Sequence, residues 1–250
     1  MLEIIGMSVE DAKAIEYCGA NRIELVSALT EGGLTPSFSM IEKVVNSVDI
    51  PVNVMIRNHA KSFRYSEYDL EVMQKDIEII KSLGANGVVL GLLDDNKKID
   101  KVGLEKLLDV VSDIDVTFHK AIDETNVLES VNVLNRYDKI TNILTAGGIN
   151  NISDNTNNIK AMIENSKANI LLGGGLNFDN VKRIKELTQA TDFHFGTAVR
   201  IDKSPFGEID TNKLSQLVKL LEVLFYTFKS LIDLYSNEDI KYIINKVISV

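Results

Sequence analysis

Cysteine is almost missing from this chain: Cys18 is the only one in 250 residues. That excludes an intrachain disulfide and points to a reducing, cytoplasmic setting. Positive charge is also short, with 27 Lys and Arg against 36 Asp and Glu, a formal net charge of -9. The balance argues against a nucleic-acid surface while leaving room for a local basic pocket. Long uncharged apolar runs are lacking, because the longest apolar stretch, Leu214 to Phe228, contains Lys219 and Glu222 and reads as a buried helix rather than a membrane span. The opening MLEIIGMSVEDAK has no basic region followed by a long apolar segment and a small-residue cleavage site, so no export signal is expected. A glycine-rich dinucleotide turn is absent too. Ile5-Gly6-Met7-Ser8 lacks the required spacing, which counts against a doubly wound open sheet, the runner-up architecture.

With 45% hydrophobic and 25% charged residues, the chain has the composition of a globular protein, and its length suits one α/β barrel or two ordinary domains. Its organisation shows in a recurring junction where a helical pattern ends in Gly-Ala-Asn and a strand follows. Cys18-Gly-Ala-Asn-Arg-Ile-Glu-Leu and Leu83-Gly-Ala-Asn-Gly-Val-Val-Leu are clear copies, and Lys167-Ala-Asn-Ile-Leu-Leu is a weaker third. Glycine there suits the left-handed residue that closes a helix. Ser8 with Asp11, and Ser39 with Glu42, have capping-box spacing at helix starts.

Apolar runs place strands at Leu2–Ile5, Arg22–Leu25, Val52–Ile56, Gly87–Leu90, Asp115–Phe118, Ile140–Leu144, Ile170–Leu172 and Phe193–Phe195. Helical patterns intervene, notably Ser66–Leu83, Asp100–Val111, Glu124–Tyr137, Asn158–Ser166 and Phe178–Leu187. Eight strand–helix repeats predict a TIM (β/α)8 barrel, one domain over residues 1–250 with a helical tail from about residue 205. In that tail, Ile240, Ile243, Ile244, Val247 and Ile248 form an amphipathic stripe expected to pack on its own domain. The asparagine-rich Asn150–Asn158 reads as a solvated loop with no role.

Chemistry in such a barrel belongs at the C-terminal strand ends. Alternation puts Glu3, Arg22, Glu24, Asn53, Arg57, Thr117, His119 and His194 on the inward side, opposite Ile4, Ile23, Val54, Val116 and Phe193. Strands buried on both faces are normally apolar, so this charged interior needs a reason. The minimum reading is an ion-pair network in which Glu3, Glu24, Arg22 and Arg57 neutralise one another. The functional reading makes Glu3, Arg22, Glu24, Arg57, His119 and His194 catalytic candidates, with imidazoles that titrate near neutrality. Lys120 follows His119 and by alternation points to the other face, which removes it as a Schiff-base lysine. His59 lies in a loop that reads as solvated. Late glycine segments suggest an anion pocket built from Thr145, Gly147 and Gly148 after the sixth strand, Gly173, Gly174 and Gly175 after the seventh, and Thr197 with Arg200 after the eighth.

NRIELVSALTEGGLTPS, at Asn21 to Ser37, resembles the signature of the CutC copper homeostasis family. Supporting matches stand at Val54-Met55-Ile56-Arg57, Phe63-Arg64-Tyr65-Ser66, Thr117-Phe118-His119-Lys120-Ala121, Gly147-Gly148, Gly173-Gly174-Gly175 and Phe193-His194. The resemblance runs from Glu3 to about Ala198. It implies a TIM barrel, cytoplasmic and commonly oligomeric, associated with copper tolerance and Cu(I) binding. Members of the family often carry cysteine after the first and second strands, where this chain has Ile5 and Val26. Their Pro-Arg-Gly-Gly loop is replaced by Asn58-His59-Ala60-Lys61. Soft Cu(I) favours thiolate and thioether ligands, so the chain would have to rely on methionines and histidines, Cys18 being a packed hydrophobe at a helix end. Two functions of different class follow: a copper-handling protein, by resemblance, or an enzyme acting on a small anionic metabolite by acid–base chemistry.

Overall fold

The computed structural model describes residues 1–222, so the stripe beginning at Asn237 lies outside the described residues. Eight parallel strands close into a barrel in chain order: β1 Leu2–Gly6, β2 Arg22–Leu25, β3 Val52–Met55, β4 Gly87–Leu90, β5 Asp115–Phe118, β6 Ile140–Thr145, β7 Asn169–Leu172 and β8 Asp192–Phe195. Between them lie α1 Val9–Tyr17, α2 Phe38–Val45, α3 Glu67–Ser82, α4 Lys101–Val111, α5 Val127–Leu134, α6 Thr156–Asn165 and α7 Val181–Thr188. An eighth helix, α8, is described over residues 211–222. The architecture is the predicted TIM barrel. No helix among the described residues is long and apolar enough to cross a membrane.

The helix ends follow from local chemistry. Gly19 (φ +87°) and Gly84 (φ +83°) take the left-handed conformation that the Gly-Ala-Asn junctions predict, and each releases the chain into a strand. Ser8 caps α1 by accepting from the Asp11 N–H. The second predicted cap is displaced: Ser37, not Ser39, caps α2 through the Met40 N–H, and Ser39 lies inside the helix. The region expected to be one helix over Glu124–Tyr137 is divided. Lys120–Glu124 is a 3-10 turn, and α5 begins only after Asn126, whose side chain accepts from the Glu129 N–H.

Outward-facing Ile4, Ile23, Val54, Val88, Phe118 and Phe193 are fully buried between barrel and helices. Burying a side chain of this size contributes about 1.5–3 kcal/mol, so this annulus carries the stability of the fold. Residues Leu214, Leu217 and Leu221 of α8 join the same core. Inside the barrel the register sets the site. Glu3 pairs with Arg22 on β2 and with His194 on β8, so three polar residues stand in one row, and Glu24 is one inward position further along β2. Ile5, Val26, Met55 and Val89 form a small apolar layer nearer the mouth.

Candidate active site

The row becomes a connected chain of charges. Arg22 Nε donates to Glu3 Oε2 at 2.5 Å, and His194 Nδ1 lies 2.8 Å from Glu3 Oε1. The other ring nitrogen, His194 Nε2, is 3.6 Å from Glu24 Oε2. All four residues are buried. Burial alone would raise the Glu3 carboxyl, but its hydrogen bond to His194 and the charge of Arg22 outweigh this and hold it below the usual range. Burial would likewise discharge His194, yet Glu24 and Glu3 together keep its imidazole above its ordinary value. Glu24 has no such support. Burial, reinforced by the Glu3 charge, pushes it up to about 7 against the partial compensation of His194 and Arg22. Its Oε1 has no hydrogen-bond partner among the described residues.

Across the barrel, His119 directly follows β5 and caps the 3-10 turn, its Nδ1 accepting from the Ala121 N–H at 3.1 Å. Gly91 makes room for it, since a Cβ there would collide with the imidazole. Burial first, and then the Arg57 charge, lower His119 to about 3. The ring is 4.9 Å from that of Phe63, over which Arg57 also stacks at 5.0 Å. Arg57 makes no ion pair with Glu3 or Glu24, contrary to the predicted network. Its Nη1 donates instead to the Glu31 and Gly33 carbonyls, because β3 delivers it beneath the β2–α2 loop. His59 is half-buried rather than solvated, 3.7 Å from Asp69 and 5.0 Å from the Tyr65 ring.

The glycine segments divide into two kinds. After β6, the donors predicted to bind an external anion are filled from within. Asp123 is buried and accepts from Thr145 Oγ1 (2.5 Å), Ala146 N (3.0 Å) and Gly148 N (3.1 Å), while Gly147 N donates to Thr145 Oγ1. Asn155 and Asn158 then hold the Ala146, Gly147 and Gly148 carbonyls, which gives the asparagine-rich segment a structural role the sequence did not disclose. Arg200 is also committed elsewhere. It is 1% exposed, paired with Asp11 at 2.7 Å and bonded to the Ile5 and Gly207 carbonyls, so it latches the chain after β8 to β1 and α1 instead of facing a ligand. Gly173 donates its N–H to the Thr145 carbonyl and leaves space for Leu144 and His194.

Gly174, Gly175 and Thr197 do line a cavity of about 550 Å³ at the mouth, together with Glu24, His119 and His194. The N–H groups of Gly174, Gly175 and Leu176 have no acceptor among the described residues. Lys120 lines the same cavity, correcting the outward placement expected from alternation: β5 has ended at Phe118, and the 3-10 turn swings the side chain over Gly174. Its Nζ donates to Asp123 at 2.9 Å.

Glu3, Glu24 and His194 offer donor atoms within 4.8 Å of one another, the one metal-sized set among the described residues. Both Glu3 oxygens are already bonded, and Arg22 adds positive charge beside them. The donors are two carboxylates and one imidazole, whereas Cu(I) favours sulfur. Among the described residues Met55 is the one sulfur lining the cavity, and Cys18 is buried at the opposite, N-terminal end of the strands, in contact with the Thr211 carbonyl. These residues do not fit Cu(I).

Fold and site together define a (β/α)8 barrel with a buried acid–base cluster under a cavity at the C-terminal strand ends. The CutC family profile matches residues 1–199. The Homo sapiens copper homeostasis protein cutC homolog is 39% identical over 200 residues, covering 78% of this chain and 72% of that protein. A CutC family protein of Xylella fastidiosa is 34% identical over 239 residues, with 88% of each covered. The crystal structure of a copper homeostasis protein CutC from Streptococcus agalactiae superimposes with a TM-score of 0.74 at 30% identity, over 78% of this chain and 97% of that one. The chain belongs to the CutC family.

Proposed function

We propose that this member of a family named for copper homeostasis is a cytoplasmic enzyme that moves protons on a small anionic metabolite. Its part in copper homeostasis, carried over from the names of its relatives, then runs through that activity rather than through a stored Cu(I) ion. The observation that carries the reading is the Arg22–Glu3–His194–Glu24 chain, buried and opening on a cavity large enough for a metabolite. A core that needed only stability would be apolar at no loss. Here the Glu3 carboxyl is lowered, the His194 imidazole is raised, and the terminal Glu24 carboxyl is pushed up to about 7, the separation of titratable roles that acid–base catalysis uses. Glu24 is the proton-transfer group, and Glu3 with His194 positions it. The anionic end of the substrate sits against Gly174, Gly175 and Thr197, near the Lys120 and Lys203 ammonium groups.

A second reading, a divalent cation on Glu3, Glu24 and His194, is favoured by the closeness of their donor atoms. Two measurements separate them. A panel of phosphorylated and carboxylated metabolites is screened by thermal shift and by product formation, with wild type beside Glu24→Gln. Stabilisation of both proteins with turnover only in wild type is expected, and an absence of stabilisation by every anion refutes the enzyme. Anaerobic Cu(I) and aerobic divalent-ion titrations against a competing chelator are expected to show no stoichiometric retention. An ion retained by wild type and lost in His194→Ala would establish the metal reading instead.

A further inference from the structure

The two buried histidines divide their labour, and the division names the reaction. His194 uses both ring nitrogens toward carboxylates. His119 uses one ring nitrogen, Nδ1, as an acceptor for the Ala121 N–H. A neutral imidazole that accepts at Nδ1 must carry its proton on Nε2, so the tautomer is fixed by the backbone. That Nε2 is buried without a partner among the described residues, on a side chain only 4% exposed that lines the mouth cavity. Glu24 Oε1 is the matching unpartnered acceptor on the same cavity. One fixed donor and one unpartnered carboxylate oxygen therefore belong to residues that line the same ligand-sized cavity.

Resting on the enzyme reading above, we infer that His119 is an electrophilic catalytic residue whose Nε2–H binds a substrate carbonyl oxygen while Glu24 takes a proton from the adjacent carbon. The substrate class is a small anionic α-hydroxy aldehyde or ketone, and the reaction class is enolisation followed by reprotonation. The step balances without a co-reactant. The C–H electron pair becomes the new C=C bond, the carbonyl π pair moves to oxygen, and the proton passes to Glu24. With a hydroxyl on the carbon that lost the proton, its O–H proton passes to the former carbonyl oxygen, and return of the proton from Glu24 to the former carbonyl carbon leaves the carbonyl on the neighbouring carbon, completing an isomerisation. Nε2–H stabilises the charge that develops on oxygen, in a site where no solvent must reorganise to do so. The low pKa that burial and Arg57 impose keeps the ring neutral across the working range, so the donor does not itself become a strong acid. Lys120 does not compete for the carbonyl carbon, since its ammonium is held by Asp123.

The test combines tautomer and ligand. In protein labelled with ¹⁵N at histidine, His119 is expected to show an unprotonated Nδ1 and a protonated Nε2, unchanged from pH 5 to pH 9. Titration within that range, or a proton on Nδ1, overturns the inference whatever the ligands do. Phosphoglycolohydroxamate, a planar enediolate mimic carrying phosphate, is then compared with glycerol 3-phosphate, which has the anion without the planar oxygens. At least tenfold tighter binding of the hydroxamate is expected in wild type, lost in His119→Ala and recovered to within about threefold in His119→Gln, whose amide donates. Equal binding of the two probes overturns the inference and leaves the anion-binding enzyme intact. Failure of both to bind removes the phosphate-bearing substrate and the inference with it. Should His119→Ala fail to fold, the wild-type tautomer and the wild-type probe ratio still decide.

Discussion

Asp123→Ala is the substitution that discriminates most sharply between an anion site and an internal clamp. The carboxylate is 6% exposed and takes hydrogen bonds from Thr145 Oγ1, the Ala146 and Gly148 N–H groups and Lys120 Nζ. Lys120 reaches solvent and recovers its hydration. The Thr145 hydroxyl and the Ala146 N–H are left buried at about 1–2 kcal/mol each, and the half-buried Gly148 N–H adds about 1 kcal/mol, so a loss of about 3–5 kcal/mol is expected. For a chain of this size that lowers Tm by roughly 10 °C. The truncated site is then a vacant nest of N–H groups of the size of a carboxylate, and formate should bind it. At a concentration 100 times its Kd, formate returns about 2.7 kcal/mol of stability to Asp123→Ala and nothing to wild type. Urea denaturation with and without formate reads both quantities. A loss below about 1 kcal/mol, or a formate response of equal size in wild type, would refute the argument that Asp123 occupies this nest.

Arg200→Met should cost about 3–5 kcal/mol in urea unfolding, because Asp11 is left buried and unpaired, without weakening anion binding at the cavity. An effect confined to ligand affinity would return Arg200 to the anion site. Gly91→Ala places a methyl group against the His119 ring and should destabilise by about 1–3 kcal/mol while shifting the His119 imidazole resonances; unchanged resonances would contradict the close approach. Glu24→Gln should alter the pH dependence of stability with a definite sign. The native state keeps the Glu24 proton up to about pH 7, whereas the unfolded chain releases it near 4.5. This group therefore supports the wild-type fold below the unfolded value and loses that support as pH rises through 7. The variant should gain on wild type by on the order of 3 kcal/mol between pH 4.5 and pH 7.5, read from paired denaturation curves; a constant difference contradicts the raised carboxyl.

The barrel was legible because each strand is a short apolar run closed by a turn, and because period-2 alternation survives wherever the backbone stays extended. That same alternation put Glu3, Arg22, Glu24, His119 and His194 inside. It says which side a residue faces, not what it meets, and so it misjudged Arg57, whose partners are carbonyls of a loop that packs over it. Lys120 was misplaced because it lies one residue past His119, where the chain has turned into a 3-10 helix and the period no longer applies. Asp123 and Arg200 were hidden for a different reason. Their partners are 22–25 and 189 residues away; the pairing of β5 with β6 brings Asp123 to its partners, and closure of the barrel through β1 and β8 brings Arg200 to Asp11. Glycine-rich loops advertise an anion, but the sequence does not say whether the anion is a ligand or a neighbouring aspartate.

The proposed chemistry requires Glu24 to exchange a proton near neutrality inside the barrel. A ¹³C titration of glutamate carboxyl groups, assigned by comparison with Glu24→Gln, tests it directly. One buried carboxyl titrating at about 7, coupled to the His194 ring and absent from the variant, is expected. A Glu24 carboxyl that titrates below about 5, in the range of an ordinary glutamate, would contradict it.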